Sequence, residues 1–413
     1  MKNQTSRQAL LCLAMAFSAN MSLAALPDYK APEILARANI RDGYNLPPLS
    51  FLNNTSPIIN DRGDVAFKLM AVEGENNQAL WVKSVEDENG KIIYVAPDER
   101  FLTEPESISE NGKIAFNLYD EGVTDGLFIL DINTLKVDQV LSPDNLPIQF
   151  YTYPQLKNNG KIYFRATDDS NDRMFYEFAG KNLNKIISEG VESSGIKSSY
   201  LFRPTVNDSG VIAFKSRMGE RGQWDESNPD SILTLTQSAD PKAPGYKVAT
   251  IARDKDSDPR SPFLGFGNTV SLSKHGVISF TATSLESKKE IVIANDGALK
   301  PVAIEGQNDI SEIEMFGSRV NDSGTVLFRA KNTEGKRGLY IATEEGVKRL
   351  IGEGDDIMTD VGPAKILHNP NYPGFGGDVH MNEKGDIVFY CLIVSNPDNR
   401  ELGSAVFKLS PVR

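Results

Sequence analysis

Asn60-Asp-Arg-Gly-Asp-Val-Ala-Phe67 reads as a tight turn followed by a strand. Asn and Asp side chains bond nearby backbone, and the glycine accepts a left-handed conformation without steric cost. From Gly63 onward, Val65 and Phe67 alternate with polar or small residues, the period of a half-buried strand. The pattern returns at Ser109–Phe116, Lys157–Phe164, Asn207–Phe214, Ser273–Phe280, Asn321–Phe328 and Asn382–Phe389. The glycines are Gly63, Gly112, Gly160, Gly210, Gly276, Gly324 and Gly385, separated by 49, 48, 50, 66, 48 and 61 residues. With 33 Gly and 20 Phe in 413 residues, chance would place Gly four before Phe only about 1.6 times. Seven occurrences, each with Val or Ile midway, mark a repeat. Periods near 50 indicate a propeller or an array.

Two more strands follow each motif. One is Ala79-Leu-Trp-Val82, echoed at Gly126–Ile129, Met174–Glu177, Ile232–Leu235, Glu290–Ile293, Gly338–Ile341 and Ala405–Lys408. The other resembles Lys300–Gly306 and Val347–Gly354, and recurs before Ala96, Ser142, Ser188 and Arg253. Four strands per unit make a propeller blade. The seventh unit ends at Arg413 without its fourth strand, whereas Glu33–Asp42 carries the fourth-strand pattern. The expected fold is therefore all-β: a seven-bladed β-propeller with four-stranded blades, closed by the N-terminal strand completing the last blade. Closure removes exposed edge strands. An open β-array is the alternative.

The repeat resembles the bacterial Asn-x-x-Gly-x-x-Ala-Phe tandem-repeat family of exported propeller-like proteins. Four of the seven units begin with Asn and three place Ala before Phe; the fifth, Ser273 to Phe280, departs most. The resemblance implies export and architecture, and no single activity. The turn also resembles the Asp-box of sialidases, but the Trp of that motif is absent.

The first residues carry their own signal. Lys2 and Arg7 precede an apolar run from Ala9 to Phe17 and small residues around Ala24. The run falls short of the roughly 20 apolar residues that span a bilayer, so residues 1–24 read as a cleavable secretory signal and 25–413 as the propeller. A lipoprotein signal at Cys12 is disfavoured, because the apolar run continues past it. The expected destination is the periplasm or the exterior. The other cysteine, Cys391, lies in a strand pattern and reads as a buried small hydrophobe. Lys+Arg 44 against Asp+Glu 56 gives a net charge of −12 with no basic block, which excludes a nucleic-acid or anionic-membrane surface. A self-closed ring predicts a monomer with a glycan or protein ligand.

In a propeller the motif turns share one face, and the inter-blade and second-to-third-strand loops share the other. Ligand-facing residues at the channel mouth should lie five to nine before each motif glycine: Asn54, Glu104, Tyr151, Tyr153, Arg203, Asn268, Arg319, Asp378 and His380. Tyr faces stack on sugars and Arg clamps carboxylates. Water-bridged channel lining is the bland reading of the same residues. Two long loops fall on this face: Arg217–Asp230, with Trp224, and Asp355–Gly377, with His368 and Tyr372. Both are candidate contributors to a site.

Asp254, Asp256 and Asp258 alternate as in a calcium loop, but Pro259 stands where Gly is required, so they give only a weak calcium reading. No nucleophile-elbow, phosphate-loop or dinucleotide motif is present. The leading expectation is a binding module for a glycan or an envelope or extracellular partner. The alternative is a polysaccharide lyase acting by β-elimination on a uronic-acid polymer, as ulvan and oligogalacturonate lyases built on propellers do. In that case Tyr153, Arg203 and His380 would be catalytic, with Tyr151, Arg217, Trp224, Asn268, Arg319, His368, Tyr372 and Asp378 as ligand-binding candidates.

Overall fold

The computed structural model describes residues 26–97, 99–143, 148–193, 195–225, 227–240 and 245–413. The expected secretory signal, residues 1–24, lies outside the described residues. Seven antiparallel sheets and no α-helix occur among the described residues. The protein is a seven-bladed β-propeller. Blade 3 shows the plan, with Ile148–Leu156 innermost, then Ile162–Asp168, Arg173–Ala179 and Asn182–Ser188, each hydrogen-bonded to the next.

The repeat explains the blade. In all seven turns the motif glycine has positive φ, from 75° to 106°, and its N–H donates to the carbonyl of the motif's first residue. The Phe of every motif is buried, at 0–1% exposure. It stands opposite a third-strand side chain, and in five blades that partner is aromatic and stacked: Trp81, Phe128, Tyr176, Tyr340 and Phe407, at 4.4–5.7 Å. Burial of one such ring stabilises by about 1.5–3 kcal/mol. Leu233 and Val292 take the partner position in blades 4 and 5.

The inner strands are broken or bulged midway, near the position from which side chains enter the channel. In blade 4 the pairing of Ile196–Leu201 and of Thr205–Val206 is separated by Phe202–Pro204; in blade 6, Ile310–Ile313 and Arg319–Val320 flank a similar gap. Breaks leave carbonyls without ladder partners, a cost that must be met elsewhere. The residue after the motif Phe meets it. Lys68 donates to Leu102 O at 3.0 Å, Asn117 to Tyr151 O at 3.0 Å, Arg165 to Leu201 O at 3.1 Å, Lys215 to Phe266 O at 2.9 Å and Arg329 to Gly377 O at 2.9 Å. Each of these bonds runs from one blade to the next. The motif Asn adds a second link at the turn face, as when Asn60 Nδ2 donates to Ser109 O at 3.2 Å.

The ring closes as the sequence predicts. Glu33–Ala38 pairs antiparallel with Glu401–Leu409, with Glu33 opposite Lys408 and Ala38 opposite Ser404. Arg37, 1% exposed, reinforces the seam. Its guanidinium meets the Asp360 carboxylate in bidentate fashion, at 2.8 and 2.7 Å, and also reaches Asp42 at 3.2 Å. Asp360 belongs to a feature the sequence reading missed. Part of the stretch expected as a long loop before the seventh motif is a hairpin, Asp356–Thr359 with Gly362–Ile366, which adds to the blade 7 sheet by pairing with Ile387–Ser395. At the seam's turn face, Asn382 Nδ2 donates to Asn60 O at 2.8 Å. No helix among the described residues is long and apolar enough to cross a membrane.

Candidate functional site at the channel mouth

The broken inner strands surround a cavity of about 310 Å³, lined by blades 1, 2, 3, 4, 6 and 7. One wall is aromatic. Tyr119 packs edge-on against Phe150 at 5.2 Å, and Tyr153 lies under the guanidinium groups of Arg165 and Arg203, at 5.1 and 4.9 Å. Tyr153 reaches the cavity through strain: its φ is +56°, at an irregularity in the pairing between Thr152 and Gln155. Irregular strand pairing of this kind re-aims side chains.

The floor is charged. Arg203 of blade 4 crosses the channel to pair with Glu106 of blade 2 and with Asp378 of blade 7, the latter at 2.7 Å. Burial opposes the Arg203 charge, but the two carboxylates hold its pKa above the ordinary value. For Asp378, burial is outweighed by Arg203 and Arg319, and its pKa is lowered. Arg319 is less well matched. Its contacts are Asp378 at 3.9 Å and the carbonyl of Ser318 at 3.4 Å, and burial together with the Arg203 charge lowers its pKa.

His380 sits below. Burial, with Arg319, Arg203 and Lys157 nearby, pushes its pKa down to about 3. The Ile59 N–H points at Nδ1, at 3.4 Å, so the neutral ring carries its proton on Nε2. Glu104 is pushed up to about 7 by burial, against the pull of Lys68, whose Nζ is 3.6 Å away.

A second chamber, about 180 Å³, continues toward the turn face and shares Glu106, Arg203, Arg319 and His380 with the first. Lys157 lines it, and burial pushes its pKa down to about 8. At the turn face the second residue of six motifs, all but Lys274, caps the turn of a neighbour: Glu110 accepts from the Asp61 N–H at 3.0 Å and Asp61 from the Glu383 N–H at 2.8 Å.

The structure thus brings Tyr153, Arg203, Arg319, Asp378, His380 and Glu104 into one cavity. Tyr151 is corrected. It is fully buried and packs edge-on against Phe164 at 5.3 Å, because the irregular pairing at Tyr153 breaks the alternation that would have turned both tyrosines to one side. Five other candidates do not line the cavity. Arg217 pairs with Asp230 at 3.1 Å and donates to the Trp224 carbonyl at 2.8 Å. Trp224 is 43% exposed on the surface loop. Asn268 accepts from Lys215 at 3.2 Å. His368 is held by Glu353 at 3.1 Å, and Tyr372 is exposed. Asn54, with φ +47°, instead lines a neighbouring hollow beside Gly376 and Phe316.

Asp254 accepts backbone N–H groups from Asp230 and Ser257, while Asp258 pairs with Arg260. No group of three or more His, Cys, Asp or Glu side chains among the described residues is placed to hold a metal ion. Sequence reasoning missed Glu106, Lys157, Lys68, Tyr119 and Phe150. Glu106 lies six before Gly112, inside the window that found the others. Lys157 stands where the other motifs have Asn or Ser.

Among solved structures, the protein is similar to the β-propeller domain of the Trilobed protease from Pyrococcus furiosus, with 13% identity and a TM-score of 0.56 over 88% of this chain and 97% of that one. That domain has an open velcro topology, unlike the strand-sealed ring here. A second similar structure is an oligogalacturonate lyase from Vibrio parahaemolyticus, at 11% identity and a TM-score of 0.54, covering 94% of this chain and 98% of that one. Both likenesses concern the fold. No curated protein matches the sequence. Residues 134–411 match the model of a family of unknown function, DUF7453, and the chain belongs to that family.

Proposed function

We propose that the protein is an exported propeller that binds an acidic glycan at the loop-face mouth of its channel. The observation that carries this reading is Arg319. Its side chain is 14% exposed and lines the channel, and its guanidinium lacks a carboxylate within hydrogen-bonding distance among the described residues. An under-neutralised guanidinium in a low-dielectric recess favours an anion, and its planar fork suits a carboxylate. The same cavity is lined by Tyr119, Phe150 and Tyr153, aromatic rings of the kind that pack against the apolar faces of a sugar. A uronic-acid residue carries both features. Export rests on the charged and apolar pattern of the first 24 residues.

The test is titration calorimetry with digalacturonate, and with a neutral disaccharide as control. The acidic sugar binds, more weakly as salt rises, and Arg319→Gln weakens binding at least about tenfold, or ~1.4 kcal/mol. Equal binding of both sugars, or binding untouched by Arg319→Gln, refutes the reading.

One observation favours catalysis as a second reading: Glu104, with a pKa near 7, faces the same cavity as Tyr153. In β-elimination a base takes the C5 proton of the uronate, the C–H electrons form the C4–C5 double bond, the C4–O4 bond breaks, and an acid protonates O4. Arg319 would neutralise the carboxylate as charge builds at C5. His380 does not serve as the base through Nε2, since that nitrogen holds a proton. Ultraviolet absorbance from unsaturated chain ends, lost in Glu104→Gln, decides between binding and cleavage.

A further inference from the structure

Beside the channel mouth, aromatic and cationic side chains continue outward over blade 4. Phe202, next to Arg203, lies 4.5 Å from Tyr200, ring to ring. Arg173 of blade 3 stacks on Tyr200 at 4.1 Å and on Trp224 at 5.4 Å. The contacts run from Phe202, the chain neighbour of Arg203, to an indole that is 43% exposed at the surface. None of Phe202, Tyr200, Arg173 and Trp224 lines the cavity, so the row lies outside it.

The row is built rather than accidental. Trp224 sits on a loop whose backbone is anchored: Arg217, fixed by Asp230 at 3.1 Å, donates to the Trp224 carbonyl at 2.8 Å, and Asn228 Nδ2 donates to the Gln223 carbonyl at 2.6 Å. Arg173 is oriented by buried Glu189, whose carboxylate lies 3.5 Å from its Nη1 and also accepts the Arg173 and Leu201 N–H groups. Where the row meets the cavity, Arg165 is engaged by Thr152 Oγ1 and the Leu201 carbonyl, with no carboxylate in salt-bridge range among the described residues. Arg173 lies over Tyr200 and Trp224, and Lys215 lies over Phe202 at 4.4 Å, so cations and aromatic rings share the row, a pairing that suits the carboxylates and sugar faces of a polyuronate chain.

We propose that Phe202, Tyr200, Arg173 and Trp224 form an outer extension of the channel site, so that the protein takes an extended acidic polysaccharide rather than a short sugar. One end would sit on Arg319 and the rest would run across blade 4. This inference rests on the acidic-glycan reading of the channel.

The experiment compares digalacturonate with decagalacturonate by calorimetry, using wild-type protein, Trp224→Ala, Trp224→Phe and Arg319→Gln, each checked for an unchanged melting transition. The decamer binds wild type about tenfold more tightly than the dimer, a gain of ~1.4 kcal/mol. Trp224→Ala brings the decamer down to the dimer's affinity, Trp224→Phe retains most of the gain, and Arg319→Gln weakens both sugars. If the dimer binds but the decamer gains nothing, or Trp224→Ala leaves the gain intact, the extension is refuted while the channel site stands. If neither sugar binds wild type, the channel reading fails and the extension falls with it.

Discussion

Replacement of Asp360 by Ala tests how the ring is sealed. Arg37 is 1% exposed, and Asp360 is its bidentate partner at 2.8 and 2.7 Å; the Asp360 side chain is itself only 14% exposed. Asp42, the other carboxylate in reach, is 57% exposed and therefore screened. Removal of one partner from a buried ion pair typically costs 3–5 kcal/mol, because the remaining charge stays desolvated. With Asp42 still at 3.2 Å, the lower end applies, about 3 kcal/mol. Urea denaturation of Asp360→Ala measures it. The control is Glu344→Ala, which breaks an exposed pair with Lys300 and should cost under about 0.5 kcal/mol. The double replacement Arg37→Met with Asp360→Leu should recover most of the loss, since an apolar pair leaves no charge stranded. If Asp360→Ala costs no more than Glu344→Ala, the seam is held by strand pairing alone and the argument for Arg37 is wrong.

Two further expectations concern protons in the channel. His380 stays neutral from pH 8 to below pH 5, given its pKa near 3, with its proton on Nε2; nitrogen-correlated NMR of the three histidines reports both, and titration of His380 near its ordinary 6.5 would contradict the geometry. Glu104 has a folded pKa raised from 4.5 to about 7, so its contribution to stability is full below pH 4.5 and lost as pH rises to about 7. Glu104→Gln should remove that decline from the stability–pH curve, and an unchanged curve would count against the burial argument.

The fold was legible because its recurring elements are local. A Gly that must take positive φ and a Phe four residues later repeat seven times, and third and fourth strands follow at matching offsets. The closing strand was legible because unit seven lacks a strand that Glu33–Asp42 resembles. The hairpin at Asp356–Ile366 was not, since most units lack one, blade 4 with Glu192–Ser193 against Ile196–Leu201 being the exception among the described residues, and Pro363 within it argues against a strand. At the site, distance from the motif glycine located Arg203, Arg319, Asp378 and His380, yet misplaced Tyr151. Counting positions assumes regular alternation, and the irregular pairing at Tyr153 is set by tertiary packing. The long loops drew attention to His368 and Tyr372, but His368 is taken up by Glu353. The most informative signal passed over was a departure from the repeat itself: Lys157 occupies the first motif position, where Asn60, Asn207 and Asn382 bridge to a neighbouring blade, and its side chain enters the channel instead.

The bonds from Lys68, Asn117, Arg165, Lys215 and Arg329 all point the same way around the circle. Every such blade is completed by the one made before it, with one exception. Blade 1, first off the ribosome, receives its cap at Asn60 from Asn382, some 320 residues later. The earliest-synthesised sheet is thus the last to be satisfied, and a chain truncated before blade 7 would keep an unfinished flank at its very beginning, however well its middle had folded.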